Sequence, residues 1–265
     1  MLIDVHAHFY QAAGGRADWQ ERNASRLKAG ATIGITRHVA SILGTWGRTS
    51  PTYFPSPDDV RTGNDALLEL IGAHPGVISG YACVNPNYTR HALDEIARCL
   101  AAGMIGIKLA ASRRADDPLV DEIAAAASRH GVPILHHIWQ HRRREWPAQE
   151  ASDGLELARL ARRHPDVAFI LAHIGGGGEW AHTLAATRAD DNIYIDLSGS
   201  GVDGGMLEAC IAMVGAGRLL WGCDITMCTG WAKLRHLERI LSTADYERVC
   251  WRNAAAIFPR GAFTA

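Results

Sequence analysis

Short apolar runs rich in β-branched residues alternate with longer amphipathic stretches from one end of the chain to the other. The runs predict strands over 2–8, 35–43, 78–85, 105–110, 132–138, 167–173, 193–198 and 219–224. Several, such as Ala168-Phe169-Ile170-Leu171-Ala172, are continuously apolar rather than alternating, as parallel strands buried on both faces are. The amphipathic stretches between them stop in a recurring way, at His74-Pro75-Gly76, His130-Gly131 and His164-Pro165. A histidine in the last turn followed by Gly or Pro ends a helix, so these three histidines are read as structural.

Eight β-then-α units in 265 residues, with no compositional break or linker, predict a single-domain (β/α)8 TIM barrel over residues 1–265 rather than a doubly wound open sheet. The longest irregular stretch, 44–63, contains three prolines and the aromatic residues Trp46, Tyr53 and Phe54. Loops of that length in compact domains are usually functional, so a lid after the second strand is expected.

Composition narrows the role. With 48% hydrophobic and 21% charged residues the chain can build a large core, and a net charge of -1 gives no basic field for nucleic acid or anionic lipid. A small-molecule partner is therefore expected. No run approaches the ~18 apolar residues of a membrane span. Six cysteines without a C-x-x-C pair fit a reducing compartment, so a soluble, cytoplasmic protein without a leader is expected, with a homodimer as the default assembly.

In such a barrel the carboxyl ends of the strands converge on one mouth. Polar residues stand at many of those ends. His6 and His8 close the first strand, Lys108 sits late in the fourth, His136 and His137 close the fifth, His173 the sixth, Asp196 and Ser198 the seventh and Asp224 the eighth. The i, i+2 spacing of His6 and His8 points both imidazoles to one side of a strand, where they can share a divalent ion.

The chain resembles the amidohydrolase superfamily, in particular the amidohydrolase-related branch of hydrolases, lactonases and non-oxidative decarboxylases. The resemblance rests on Ile3-Asp4-Val5-His6-Ala7-His8, Gly106-Ile107-Lys108-Leu109, Pro133-Ile134-Leu135-His136-His137, Leu171-Ala172-His173-Ile174-Gly175-Gly176, Leu220-Trp221-Gly222-Cys223-Asp224 and a closing Asn253-Ala254-Ala255-Ala256-Ile257-Phe258. It implies a metal site of His6, His8, Asp224 and a histidine of the fifth strand. His137 is the expected ligand, four residues after Pro133 as in the family pattern, while alternation turns His136 towards the helices; a bulge would reverse the two. One zinc ion is expected, with two ions, manganese or iron left open. Lys108 is the candidate bridge between two ions, since some relatives carboxylate a lysine there.

The resemblance also implies catalytic roles. Asp224 would carry a proton as well as bind the ion, and His173 would bind a second ion or polarise the substrate. Trp46, Trp139, Trp146, Trp180 and Trp231 follow strand ends and either face a flat substrate or cover the rim. Arg142, in the run Arg142-Arg143-Arg144, either grips a substrate carboxylate or lies on a solvated face. The expected function is metal-dependent hydrolysis of a small amide, ester or lactone by metal-activated water. The alternatives are metal-dependent decarboxylation of an aromatic or unsaturated acid and a non-catalytic ligand-binding barrel.

Overall fold

A computed structural model describes residues 1–14, 16–43, 50–139, 149–176, 178–201 and 203–264. Eight parallel strands follow one another in a single sheet: β1 (Ile3–His8), β2 (Arg37–Ser41), β3 (Ile78–Val84), β4 (Gly106–Leu109), β5 (Ile134–His136), β6 (Phe169–Leu171), β7 (Ile193–Asp196) and β8 (Leu219–Leu220). Between β8 and β1, the Val5 N–H donates to Trp221 O at 3.2 Å and the Asp224 N–H to His6 O at 2.7 Å, which brings the sheet round into a barrel. The helices α1 (Trp19–Ile33), α2 (Pro57–Ala73), α3 (Thr89–Ala101), α4 (Pro118–His130), α5 (Gly154–Arg163), α6 (Trp180–Thr187), α7 (Met206–Val214) and α8 (Met227–Ile240) each follow a strand. This is the expected (β/α)8 barrel, with each strand one to four residues shorter than its apolar run.

Two sets of apolar residues explain the layers. Ile3, Val5, Val39, Tyr81, Leu135, Ile170 and Leu220 pack with one another and with Phe258, filling the barrel rather than leaving a pore. Ile107, Leu109, Ile134, Phe169, Leu171, Ile193 and Ile195 instead pack with helix residues such as Ile123, Leu157 and Leu184. Along β5 this alternation turns Leu135 inward and Ile134 outward, which places His136 with the outward set.

Helix boundaries follow local chemistry. The Ser56 hydroxyl accepts from Asp59 N while Asp59 reaches back to Ser56 N, a capping box with Pro57 in the first turn. The irregular stretch therefore ends at Ser56 and not at Gly63, a correction to the sequence expectation, because this cap starts α2 seven residues earlier. The start of the expected lid, 44–49, lies outside the described residues. His74 and His164 are the C-cap residues of α2 and α5, and His130 is the last residue of α4 before Gly131 at φ 62°. No helix among the described residues is long and apolar enough to cross a membrane.

Candidate metal centre and active site

The first strand carries an irregularity that the sequence did not announce. Asp4 pairs with His38 and Ala7 with Ala40, so β1 spends three steps where β2 spends two. The extra residue is a bulge, and it explains how Val5 can pack inside the barrel while His6 and His8 also reach the mouth. Asp4, fully buried, holds this segment: its Oδ1 accepts from His6 N and Cys223 N, and its Oδ2 from Arg26 Nη2 and His38.

At the mouth, His6 Nε2 lies 3.1 Å from His8 Nε2, and His8 Nε2 lies 3.2 Å from Asp224 Oδ1. One donor atom from each of His6, His8 and Asp224 falls within 4.8 Å of the others. The far side of each imidazole fixes what the near side offers. His6 Nδ1 is 2.7 Å from the carboxylate of Asp196, which can only accept, so Nδ1 carries the proton and Nε2 presents a lone pair. His8 Nδ1 faces the Ser41 carbonyl at 3.3 Å, giving the same tautomer. Two imidazole lone pairs and a carboxylate oxygen thus point at one another. That donor set fits a divalent transition metal, with Asp196 in the outer position that orients a ligating histidine.

Electrostatics keep the donors in their binding forms. Burial holds His8 down to about 4, against the opposing pull of Asp224, so its imidazole is neutral at neutral pH. Burial raises Asp224, but the imidazoles of His6 and His8 outweigh it and hold the carboxyl well below its usual range. Burial also lowers Lys108 to about 8. Its ammonium nitrogen lies 3.2 Å from His6 Nε2, inside the same mouth.

His137 and His173 form a second pair, with His137 Nδ1 3.1 Å from His173 Nε2 and both residues depressed chiefly by burial, His173 to about 4. His173 stacks on His6 at 5.7 Å between ring centroids. His137 stands outside the close group of three, but its Nε2 is buried and has no hydrogen-bond partner among the described residues. His136 Nε2 likewise has no partner among the described residues; its Nδ1 lies 3.0 Å from the His137 carbonyl. Rings beside His137 build a wall: Trp139 at 4.8 Å and Tyr53 at 5.3 Å.

Two strand ends are bent to aim their side chains. His173 and Asp224 adopt φ of 43° and 57°, in the left-handed region that His and Asp enter more readily than most residues. The His173 N–H is tied to Asp196 Oδ2 at 2.9 Å. Asp196 therefore serves two strands at once, and Ser198 Oγ donates to it as well, at 2.5 Å.

The other expected site residues fall differently. Trp180 opens α6 and donates Nε1–H to Asp203 at 3.0 Å, with no ring contact to the site histidines among the described residues. Trp231 stacks under Arg235 and lines a cleft with Leu2 and Ile33, so it does not line the mouth. Arg142, Trp46 and Trp146 lie outside the described residues. Sequence reasoning noted Asp196 and Ser198 only as strand-end polar groups and did not single out Asp4 or Ser41. A lone acid inside an apolar run was the available signal for Asp4 and Asp196.

The sequence model of the family described as Amidohydrolase matches residues 3–260. No curated protein matches the chain. Among solved structures, 2,6-dihydroxybenzoate decarboxylase from Rhizobium superposes with a TM-score of 0.71 at 16% identity, covering 97% of this chain and 98% of that one. A dihydroxybenzoic acid decarboxylase from Polaromonas sp. JS666, solved with bound manganese and the inhibitor 2-nitroresorcinol, gives 0.70 at 16% identity, covering 97% and 96%. A candidate 2-pyrone-4,6-dicarboxylic acid hydrolase from Pseudomonas putida gives 0.63 at 17% identity, again covering 97% and 96%. At these identities the superpositions speak for a shared fold.

Proposed function

The chain belongs to the amidohydrolase family, and from that premise we propose that it is a metal-dependent enzyme that removes carbon dioxide from a small aromatic or unsaturated carboxylic acid. The observation that carries this reading is the ring wall of His137, Trp139 and Tyr53 standing beside the His6–His8–Asp224 donor set. A flat substrate against those rings presents its edge to the donor set. The decarboxylases of dihydroxybenzoate with the same fold support the choice of substrate class.

His6, His8 and Asp224, with His137 as the further ligand, would hold zinc or manganese. The ion supplies positive charge to the substrate oxygens where negative charge accumulates. Asp196 keeps His6 in the ligating tautomer. His173 is the group assigned to steady the substrate by a hydrogen bond. Loss of carbon dioxide leaves an electron pair on carbon that a proton from water must take up, and Asp224, ionised at rest, is assigned to accept that proton and pass it to the carbon, since one of its oxygens faces the histidines and its side chain is 20% exposed. The partner is a small molecule.

Hydrolysis of an amide, ester or lactone is the second reading. The ionised state of Asp224 favours it, because a carboxylate ready to accept a proton is what activation of water requires.

The test uses protein loaded with zinc or manganese and two panels: hydroxylated benzoic acids, read by carbon dioxide release, and lactones, esters and amides, read by acid release. Carbon dioxide release from an aromatic acid, abolished by chelation and by His6→Ala, supports the proposal. Turnover confined to the second panel replaces it with hydrolysis. No turnover of either panel by the metal-loaded protein overturns both.

A further inference from the structure

Lys108 is fully buried, yet no carboxylate lies within ion-pair distance of it among the described residues. Its surroundings are poor in acceptors: Cys83, Leu43 and Ala110 pack as a small apolar cluster at the neighbouring strand ends, and Cys83 is paired with Lys108 in the β3–β4 ladder. The hydrogen-bond partner of its ammonium group is the His6 Nε2 lone pair, at 3.2 Å. That is the same lone pair the metal reading assigns to the ion. An ammonium proton and a metal ion cannot both occupy it, and an ion bound there would stand close to a buried cation whose neighbouring carboxylates, Asp224 and Asp196, lie beyond ion-pair distance. The conflict is removed when an anion sits between them.

We propose that Lys108 is the residue that binds the substrate's carboxylate, so that the ion and a monocarboxylate ligand bind cooperatively and a neutral isostere does not. This rests on the reading of the donor set as a metal site and deepens the substrate class proposed above. Without an anion, Lys108 opposes the ion by occupying His6 and by its charge. With a carboxylate bound, the same ammonium turns from competitor into counter-charge. Reciprocity follows: whatever factor the carboxylate gives to metal affinity, the metal gives to carboxylate affinity.

The test is calorimetric titration of manganese(II) and of zinc into chelator-treated full-length protein, alone, with benzoate, and with benzamide as the neutral isostere. In the wild type, benzoate is expected to tighten metal binding by about tenfold, within the usual range of such couplings, and benzamide to leave it unchanged. In Lys108→Met and Lys108→Gln the metal alone should bind more tightly than in wild type, and the benzoate effect should fall to about twofold or less. Titration with metal alone also shows whether each variant retains the site, and Gln answers if Met fails to fold.

A benzoate effect of equal size in wild type and variants overturns the proposal, because the carboxylate would then need only the ion. Intact-mass measurement showing carbon dioxide held on Lys108 also overturns it, since that carbamate would itself be the anion. No turnover is involved, so a protein that decarboxylates nothing still returns an answer here, and a working decarboxylase can fail this test.

Discussion

The carboxylate of Asp196 shows how much of the site depends on one residue that does not face the donor set. It accepts from His6 Nδ1, His173 N, Ser198 N and Ser198 Oγ, and the three neutral donors leave the fourth position to a protonated His6 nitrogen. Asp196→Asn keeps the volume but lets the amide donate to His6, which would move the ring proton to Nε2 and remove the lone pair. We expect metal affinity to fall about 10- to 100-fold, the range seen when outer-shell partners of ligating histidines are changed, with little change in fold. Chelator-competition titration reads this, and an unaltered affinity would remove Asp196 from the metal reading. Gly222 sits in the same contact. A Cβ there would lie 2.7 Å from Asp196 Oδ1 and 3.1 Å from His6 Cβ, both held in place by packing and hydrogen bonds. Gly222→Ala should therefore reproduce the affinity loss through displacement alone, and a variant with wild-type metal binding would show that the carboxylate has more room than the geometry gives it.

Among the elements, β1 is the one whose job exceeds its sequence pattern. Its bulge lets an apolar filling residue and two mouth histidines share six residues, and Asp4 secures the bulge by accepting from His6 N and Cys223 N while pairing with Arg26 and His38. Asp4→Ala would leave those donors buried and unpaired, with Arg26 only 9% exposed. We expect a loss of about 3 kcal/mol, read as a lower urea midpoint, in line with breaking a buried charged network. A midpoint within error of wild type would mean that the bulge is set by strand pairing alone. The strands themselves were legible, since parallel strands are buried on both faces and so spell apolar runs. Their ends were not, because pairing stops where a neighbour stops; β8 keeps two residues of a six-residue run. The bulge was illegible for a similar reason: no glycine marks it, and the acid beside it reaches across to Cys223, after β8. Alternation along β5 assigns His136 and His137 to opposite faces, and His137 is the one with ring contacts to His173, Trp139 and Tyr53. The Asp196–His6 contact joins residues 190 apart in sequence and no local pattern encodes it.

For the molecule as a whole, the helical layer ties stability to pH, and a metal ion bound at the mouth would tie it to metal. Glu95 on α3 accepts from Asn64 Nδ2 and Arg98 and pairs with Arg61, joining α2 and α3, while Asn64 also bonds both ways to Cys83 on β3. Burial raises its carboxyl, but the Arg98 and Asn64 hydrogen bonds outweigh that and bring it from 4.5 down to about 2. A depressed acid stabilises the fold fully above its unfolded value and loses that contribution as pH falls from about 4.5 towards about 2. Glu95→Gln should thus melt below wild type at pH 7, and the gap should close towards pH 3; a gap constant with pH would deny the ionised carboxylate any part. An ion held at the mouth would act on the same folding equilibrium. His6 and His8 belong to β1 while Asp224 follows β8, so an ion held by all three would bridge the two strands at which the barrel closes. An unfolded chain separates Asp224 from the two histidines by more than two hundred positions and offers no preformed three-ligand site, so an ion that binds all three binds the native state. At a free ion concentration a hundredfold above the dissociation constant, the added stability is about 2.7 kcal/mol. For a chain of this size that corresponds to a rise of roughly 5–10 °C in melting temperature, set by the entropy of unfolding. Scanning calorimetry of chelated and manganese-loaded protein measures the rise directly, and in His6→Ala/His8→Ala it should vanish. A rise that survives in the double variant would place the stabilising ion elsewhere, and with it the proposal that the mouth of this barrel is where the chemistry happens would lose its footing.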